Sequence, residues 1–309
     1  MERLRRIAVE ACPVCGAREF RRWLSLPDRF RLTETESWPL AFCKRCGVGF
    51  LQELPAAELL ASCYPDDGYD PFISAGGPRS LLDRIYVSLR KLSLAIRFHR
   101  LGKPKIGTRL LDVGCGTGEF IAYAHERGWK SQGLDFSVKA VEAVKKLGFE
   151  CHHGDLASFN APAEPFHAIT FWHSMEHVPN PRETLGKAVE MLADKGRIVI
   201  AVPNGTSWDA RVYGENWIAY DAPRHCTMFT PDSLRLLVEE CGLHVKSVNG
   251  LLFDLAYNLL HSERLLKERK GKTNWFAPFR LLWAGIPAAI GGEAGASVIV
   301  IVAEKKKNK

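Results

Sequence analysis

From Thr108 onward, short apolar runs alternate with amphipathic segments. The runs TRLLDVG (108–114), KSQGLDF (130–136), FECHHGD (149–155), FHAITFW (166–172), GRIVIAVPN (196–204), LHVKSVNG (243–250) and ASVIVIVAEKK (296–306) are rich in β-branched and aromatic residues and read as strands. Between them, 118–128, 137–148, 181–196 and 230–242 repeat apolar positions at helical spacing. Ser137 is the expected N-cap of the second of these helices. Asn180, Pro181 and Glu183 predict a capped start for the third, and Thr230–Pro231 opens the fourth. Strand–helix alternation of this kind predicts an α/β domain whose sheet is covered by helices on both faces.

Upstream, Leu81, Ile85, Leu89, Leu92 and Ile96 mark an amphipathic helix. Its other face, with Arg84, Arg90, Lys91, Arg97 and Arg100, reads as solvated. The stretch 205–230 interrupts the alternation with Trp208, Tyr213, Trp217 and Tyr220, which form either a lid over an acceptor or the packed core of an insertion.

Composition alters this picture little. The chain of 309 residues is 46% hydrophobic and 25% charged, as ordinary globular proteins are. Its net charge of +7 would suit an anionic partner, but part of it is the terminal KKKNK. The N-terminus lacks the apolar core of a secretory signal, and Leu281–Gly292 is shorter than the roughly 20 residues that span a bilayer. Cytoplasmic residence is the expectation.

Four of the nine cysteines form a pattern. Cys12-Pro-Val-Cys15-Gly and Cys43-Lys-Arg-Cys46-Gly are two C-x-x-C knuckles, each followed by glycine. The interval 16–42 is longer than the usual spacing of about 15–20 residues. A longer loop costs little more to close, so a structural four-sulfur zinc site in a ribbon-like head (1–55) is expected. Residues 56–104 then read as linker and helix, and 105–309 as the main domain. Cys63, Cys115, Cys151, Cys226 and Cys241 read as core or loop thiols.

The stretch LLDVGCGTGEF (110–120) carries the chemistry. Asp112 ends the first strand, and Gly114, Gly116 and Gly118 follow as G-x-G-x-G. An acid at that point would repel a pyrophosphate but can approach an ammonium. Here the chain resembles the class I S-adenosylmethionine-dependent methyltransferases over roughly 105–250. The resemblance implies a Rossmann-like seven-stranded sheet with Asp135 on the ribose hydroxyls and Phe136 beside the adenine. It also implies Asp155 at the adenine amino group, Leu156 packing on the ring, and Trp172 at the end of the strand facing the methyl donor.

HSMEH (173–177) matches the H-x-x-E-H pattern of a metalloprotease helix. Strand-forming residues run straight into His173, however, and Pro179 and Pro181 leave no room for the long helix that pattern needs. A turn between strand and helix is expected instead, with no catalytic metal. APRHCTMFTPDSLRLLVEECGL (222–243) resembles the P-R-H-x-x-x-F-T-x-x-S-L stretch of a bacterial methyltransferase subgroup with the same cysteine head. That subgroup commonly modifies sugars or polysaccharide precursors. Sugar C-methyltransferases with a similar head carry an extra C-terminal domain, so a chain ending at its last core strand argues against C-methylation.

A hydroxyl acceptor needs a base. His177 and His225 are the favoured candidates, with His173 as a third, and Glu176 or Asp221 orienting or replacing one of them. The expected acceptor is a sugar or sugar-nucleotide. A quinone-precursor-like O-methyltransferase and an RNA methyltransferase are the alternatives. Basic residues without interleaved aromatics argue against nucleic acid.

Overall fold

A computed structural model of the chain describes residues 5–30, 37–56, 59, 61–64, 81–105, 107–270 and 277–306. The head comprises β1 (Arg6–Ala8), β2 (Phe20–Pro27), β3 (Ser37–Cys43), β4 (Gly49–Leu51) and β5 (Glu53–Pro55), and leads to α1 (Leu81–Leu101). The main domain runs β6 (Arg109–Val113), α2 (Glu119–His125), β7 (Lys130–Asp135), α3 (Val138–Lys146), β8 (Cys151–His153) and β9 (Phe166–Trp172). It continues through α4 (Pro181–Glu190), β10 (Leu192–Pro203), α5 (Trp208–Tyr213), β11 (Thr227–Met228), α6 (Pro231–Glu240) and β12 (Leu243–Leu251). The last elements are α7 (Phe253–Lys270), α8 (Ala277–Ile290), α9 (Gly292–Gly295) and β13 (Val298–Lys305).

The seven expected strands form one sheet in the order β12-β13-β10-β9-β6-β7-β8. Only β13 runs against the rest. Its centre, β9, is buried along Ala168–Trp172, as a strand covered on both faces must be. Strand order reverses between β6 and β9, which opens a crevice at their carboxyl ends. Asp112, Asp135, Asp155 and the HSMEH turn all lie at or just beyond those ends.

Ser137 caps α3 by accepting from the Ala140 amide, and Thr230 and Ser233 form a reciprocal box at the start of α6. The cap expected at Asn180 is not made. Pro181 alone fixes the first turn of α4, and the Glu183 box is absent. Strand β10 starts at Leu192, inside the stretch assigned to the preceding helix, with a register shift between Leu192 and Arg197 that absorbs the irregular DKG segment.

The apolar face of α1 agrees with the expected one at Ile96 and departs from it at Leu92. Leu92 is exposed, while Ile96 packs against the sheet with Leu94, Phe98 and Leu101. The side chains of 81–90, and with them Leu81, Arg84, Ile85, Leu89 and Arg90, lie outside the described residues, as does linker 65–80. Of the face read as solvated, Lys91 is exposed, whereas Arg97 and Arg100 are used inside the protein. The Arg97 guanidinium lies 5.3 Å from the centre of the Trp172 ring, and Arg100 donates to Asn249 at 2.7 Å.

Head and main domain share a core. Cys12, Cys43, Val48 and Phe50 pack in one cluster with Leu234, Leu237 and Val238 of α6. The head sheet, order β11-β4-β3-β2, takes its edge strand from 227–228. Of the four insertion aromatics, Tyr213, Trp217 and Tyr220 are core, packed with Leu26, Trp38 and Leu40 of the head. Trp217 donates to Asp209 at 2.7 Å and the Tyr220 hydroxyl to the Gly205 carbonyl at 2.9 Å. These rings form a packed core rather than a lid.

Candidate active site

The cofactor half of the crevice is built by β6, β7 and the turns after them. Asp112 is buried and accepts from the Thr170 hydroxyl at 2.6 Å. Burial pushes its carboxyl up to about 7, against the opposing Thr170 bond and Arg97 charge. A buried acid with no cation bonded to it among the described residues fits a ligand ammonium. Gly114 has φ 74°, and a Cβ there would meet that of Ser174 at 2.4 Å, so only glycine lets the loop pass the turn after β9. Gly116 has φ 53°, and a Cβ there would enter open space, leaving bare backbone facing the crevice. Gly118 has φ 79° and packs on Val144.

Asp135 accepts from the Gly116 amide at 2.9 Å and the Ser137 amide at 2.8 Å, and burial raises its pKa. Each oxygen keeps a lone pair for a hydroxyl donor. Phe136 is exposed, with its ring 5.3 Å from that of Tyr64. Asp155 spends one oxygen on a local turn, accepting from the Ser158 amide and hydroxyl, and the hydroxyl in turn lowers its pKa. Leu156 lies in the main core. Trp172 packs edge-on against Phe120 at 5.2 Å, and its buried Nε1 has no partner among the described residues.

The acceptor half gathers distant stretches. HSMEH leaves β9 at His173, whose φ of 55° reverses the chain, and Met175–His177 form a single 3₁₀ turn. This is the strand end and short turn that the prolines predict. His173 Nδ1 is 3.5 Å from Glu176 and its Nε2 is 3.2 Å from Asp254. Burial works against the cation, but the two carboxylates prevail and raise its pKa to about 9. A histidine held protonated is a poor general base, which counts against His173 in that role.

His177 and His225 are each held through Nδ1 by a backbone carbonyl. His177 Nδ1 lies 3.1 Å from the Arg224 carbonyl and 3.0 Å from the Tyr64 hydroxyl, and His225 Nδ1 lies 2.7 Å from the Ala219 carbonyl. A carbonyl only accepts, so both Nδ1 atoms carry the proton and each Nε2 keeps the ring's lone pair. The rings meet edge to face at 4.5 Å. Burial and the neighbouring His225 push His177 down to about 4, so it is neutral at ordinary pH. Glu176 is 1% exposed, and neither of its oxygens has a hydrogen-bond partner among the described residues. Ligand atoms of Glu176, His177 and His225 all lie within 4.8 Å of one another, a donor set that could hold a divalent cation. The HSMEH histidine pair is not that set, because His173 turns to Asp254 instead.

Asp221 is not available as a base. It lies 2.7 Å from Arg224 and 2.8 Å from Arg29, and the two guanidiniums overcome burial to hold its pKa below the usual carboxylate range. Arg224 is fully buried and also binds Asp28 and the Cys63 carbonyl. Arg224, Tyr64, Asp254 and Thr170 complete the site. Of these, only Arg224 has a signal in the sequence, as the middle letter of P-R-H.

The four head cysteines converge. Sγ separations are 3.5 Å for Cys12–Cys46 and for Cys15–Cys43, and all four thiols are buried within 4.8 Å of one another. A tetrahedral zinc with bonds of about 2.3 Å sets its sulfurs about 3.8 Å apart, so the donor set fits.

The profile of the methyltransferase-domain family matches residues 86–248, more than half of the chain. Relatives named ubiquinone biosynthesis O-methyltransferase include one from Idiomarina loihiensis, 24% identical over 172 residues, covering 51% of this chain and 70% of the relative. Another, from Azoarcus sp., is 25% identical over 162 residues, covering 48% and 69%. Among solved structures, a geranyl diphosphate methyltransferase in complex with S-adenosylmethionine superposes with TM-score 0.51 at 18% identity, covering 74% of this chain and 93% of that one. A mycolic acid cyclopropane synthase with the demethylated cofactor also gives 0.51, at 16% identity and 70% and 84% coverage. The chain belongs to the methyltransferase-domain family and is a class I S-adenosylmethionine-dependent methyltransferase.

Proposed function

We propose that this enzyme O-methylates a small hydroxylated acceptor, with His177 as the proton-accepting group. The observation that carries this reading is the pair of imidazoles whose Nδ1 protons are fixed by carbonyls. That arrangement leaves the lone pair of His177 on Nε2, and the Tyr64 ring, which packs against Phe136, lies 6.2 Å from the His177 ring. The cofactor supplies an electrophilic methyl group on a sulfonium. Asp112 takes its ammonium end, Asp135 its ribose hydroxyls, and Phe136 with Leu156 its adenine. Asp155 binds the adenine amino group through the oxygen not used by Ser158. The bare backbone at Gly116 supports that reading. Holding the acceptor oxygen in line with the methyl group supplies much of the rate, and His177 takes the proton.

The acceptor we infer is a sugar or sugar-nucleotide, on the resemblance of 222–243. The relatives' names favour a phenolic quinone precursor instead. Turnover assays with nucleotide sugars and with catechol-type phenols, read as demethylated cofactor, separate the two. The RNA reading, which rests on the zinc ribbon, the basic helix and the positive charge, is weakened where Arg97 and Arg100 of that helix are engaged within the protein. Zinc in the cysteine head is structural under this proposal.

A second reading of the acceptor half rests on the buried Glu176 carboxylate, which beside its ion pair with His173 has no hydrogen-bond partner among the described residues. A divalent cation held by Glu176, His177 and His225 would lower the pKa of the acceptor hydroxyl and replace the base. Activity lost on chelation and restored by magnesium, manganese or zinc would favour the cation. Chelation without effect would leave His177 as the base.

A further inference from the structure

Helix α8, outside the region matched by the family profile, is built inside out. Its inward face carries Ala284 and Ala288, both fully buried, and a Cβ at Gly285 would come within 3.0 Å of Leu259 of α7. Its outward face carries Phe279, Leu282, Trp283, Ile286 and Ile290, each between 55% and 79% exposed. These positions recur at helical spacing and form one continuous stripe. Exposed Leu260 lies on α7, which packs against α8. Burying small residues while presenting bulky ones inverts the usual surface helix. A patch of this kind marks an interaction surface.

Three observations select the occupant. The helix is 14 residues long, about 21 Å at 1.5 Å per residue, and no helix among the described residues is long and apolar enough to cross a membrane. It can lie in an interface but not span one. The residues leading to it read RLLKERKGK (264–272), five cations against one acid, and α8 itself has no acid. Arg264 and Lys267 follow Leu260 along one exposed face of α7, so the apolar surface is flanked by basic residues. Lastly, a second copy docking there would set +7 against +7, whereas an anionic surface complements that charge.

We propose that the outer face of α8, with the basic end of α7, docks on an anionic lipid bilayer. Phe279, Trp283 and Ile286 enter the headgroup boundary and the cations face the lipid phosphates. The helix is tied to the site. The Trp208 indole donates to the Trp283 carbonyl at 2.8 Å, and Asp254 of α7 holds His173. Docking would therefore bear on the element that holds His173, whichever acceptor is used.

The test is flotation of the full, metal-loaded chain with vesicles of phosphatidylcholine alone and of phosphatidylcholine mixed with phosphatidylglycerol. The wild type is expected to float with the mixed vesicles, to bind the neutral ones far less, and to be released by high salt. The double variant Trp283→Gln/Ile286→Gln should lose roughly tenfold or more in vesicle affinity, with demethylated-cofactor binding unchanged as evidence of an intact fold. The proposal is overturned if the wild type ignores mixed vesicles or if the double variant binds them equally well. A dimer that the double variant disperses, without vesicle binding, would assign the face to a second copy.

Discussion

The Tyr64 hydroxyl lies 3.0 Å from Nδ1 of His177, across 113 positions of sequence. A residue from the segment between head and main domain therefore reaches the acceptor half. Because the Arg224 carbonyl also accepts from Nδ1, the tautomer survives loss of the hydroxyl. Tyr64→Phe should lower kcat only several-fold, whereas His177→Ala should lower it by roughly 10²–10⁴. Initial rates on the first acceptor found in the screen check both. Equal losses would mean that Tyr64, not His177, takes the proton.

Asp112 trades stability for binding. Its carboxyl titrates near 7 in the folded chain and at 3.8 when unfolded. The folded state therefore holds more protons between those values, and stability falls as pH rises through that window. Asp112→Asn should raise the Tm of the cofactor-free protein at pH 8, by an amount equivalent to roughly 2–4 kcal/mol, and leave it nearly unchanged at pH 4. It should also abolish cofactor binding in calorimetry. A variant that is destabilised at pH 8 would contradict the assignment.

The two histidines of HSMEH give opposite pH signatures. His177 titrates near 4, below the 6.5 of an unfolded histidine, so its contribution destabilises the fold as pH falls from about 6.5 toward 4. His173 titrates near 9, so its ion pairs stabilise fully below about 6.5 and are lost as pH rises through 9. In thermal melts His173→Gln should lose stability at pH 6 and match the wild type above pH 10. His177→Gln should flatten the acid limb instead. Melting curves across pH 4–10 distinguish them.

The part of this site that lies along contiguous sequence is legible from residue pattern alone. Asp112, the glycines and Asp135 end or follow strands whose periodicity is plain, and the crevice follows from strand order. The acceptor half is only partly legible, because it joins Tyr64, Glu176, Arg224 and Asp254, which no local pattern links. The histidines stand out as candidates, but their protonation depends on Asp254 and two backbone carbonyls. Asn180 fails as a cap because cap preference is local, while the turn before α4 is set by Pro179 and Pro181. The bulky face of α8 would be placed inside on pattern alone. It points outward because Ala284 and Gly285 are what α7 can pack against closely.

Arg224 joins three segments that the sequence separates. It is fully buried with Asp221, Asp28 and the Cys63 carbonyl. Arg224→Ala leaves two buried acids short of a cation and should cost about 3–5 kcal/mol. Arg224→Lys should recover little, since one ammonium cannot reproduce the fork that reaches both carboxylates. Denaturant unfolding of both variants checks this, and a loss below about 1 kcal/mol in either would mean Arg29 alone neutralises Asp221.

The cysteine head shares its core with α6, and its sheet takes β11 from the segment that also carries His225. Loss of metal should therefore act beyond the head. Metal analysis is expected to give one zinc per chain. Cys43→Ser or strong chelation should lower the Tm of the whole chain in a single transition, because Cys43 and Leu237 belong to one cluster. The same treatment should weaken acceptor turnover before cofactor binding, since β11 follows directly on Cys226 and His225, whereas Asp112 and Asp135 stand on β6 and β7. Two separate transitions, with the upper one at the wild-type temperature, would mean that the head folds independently and that the shared core contributes little.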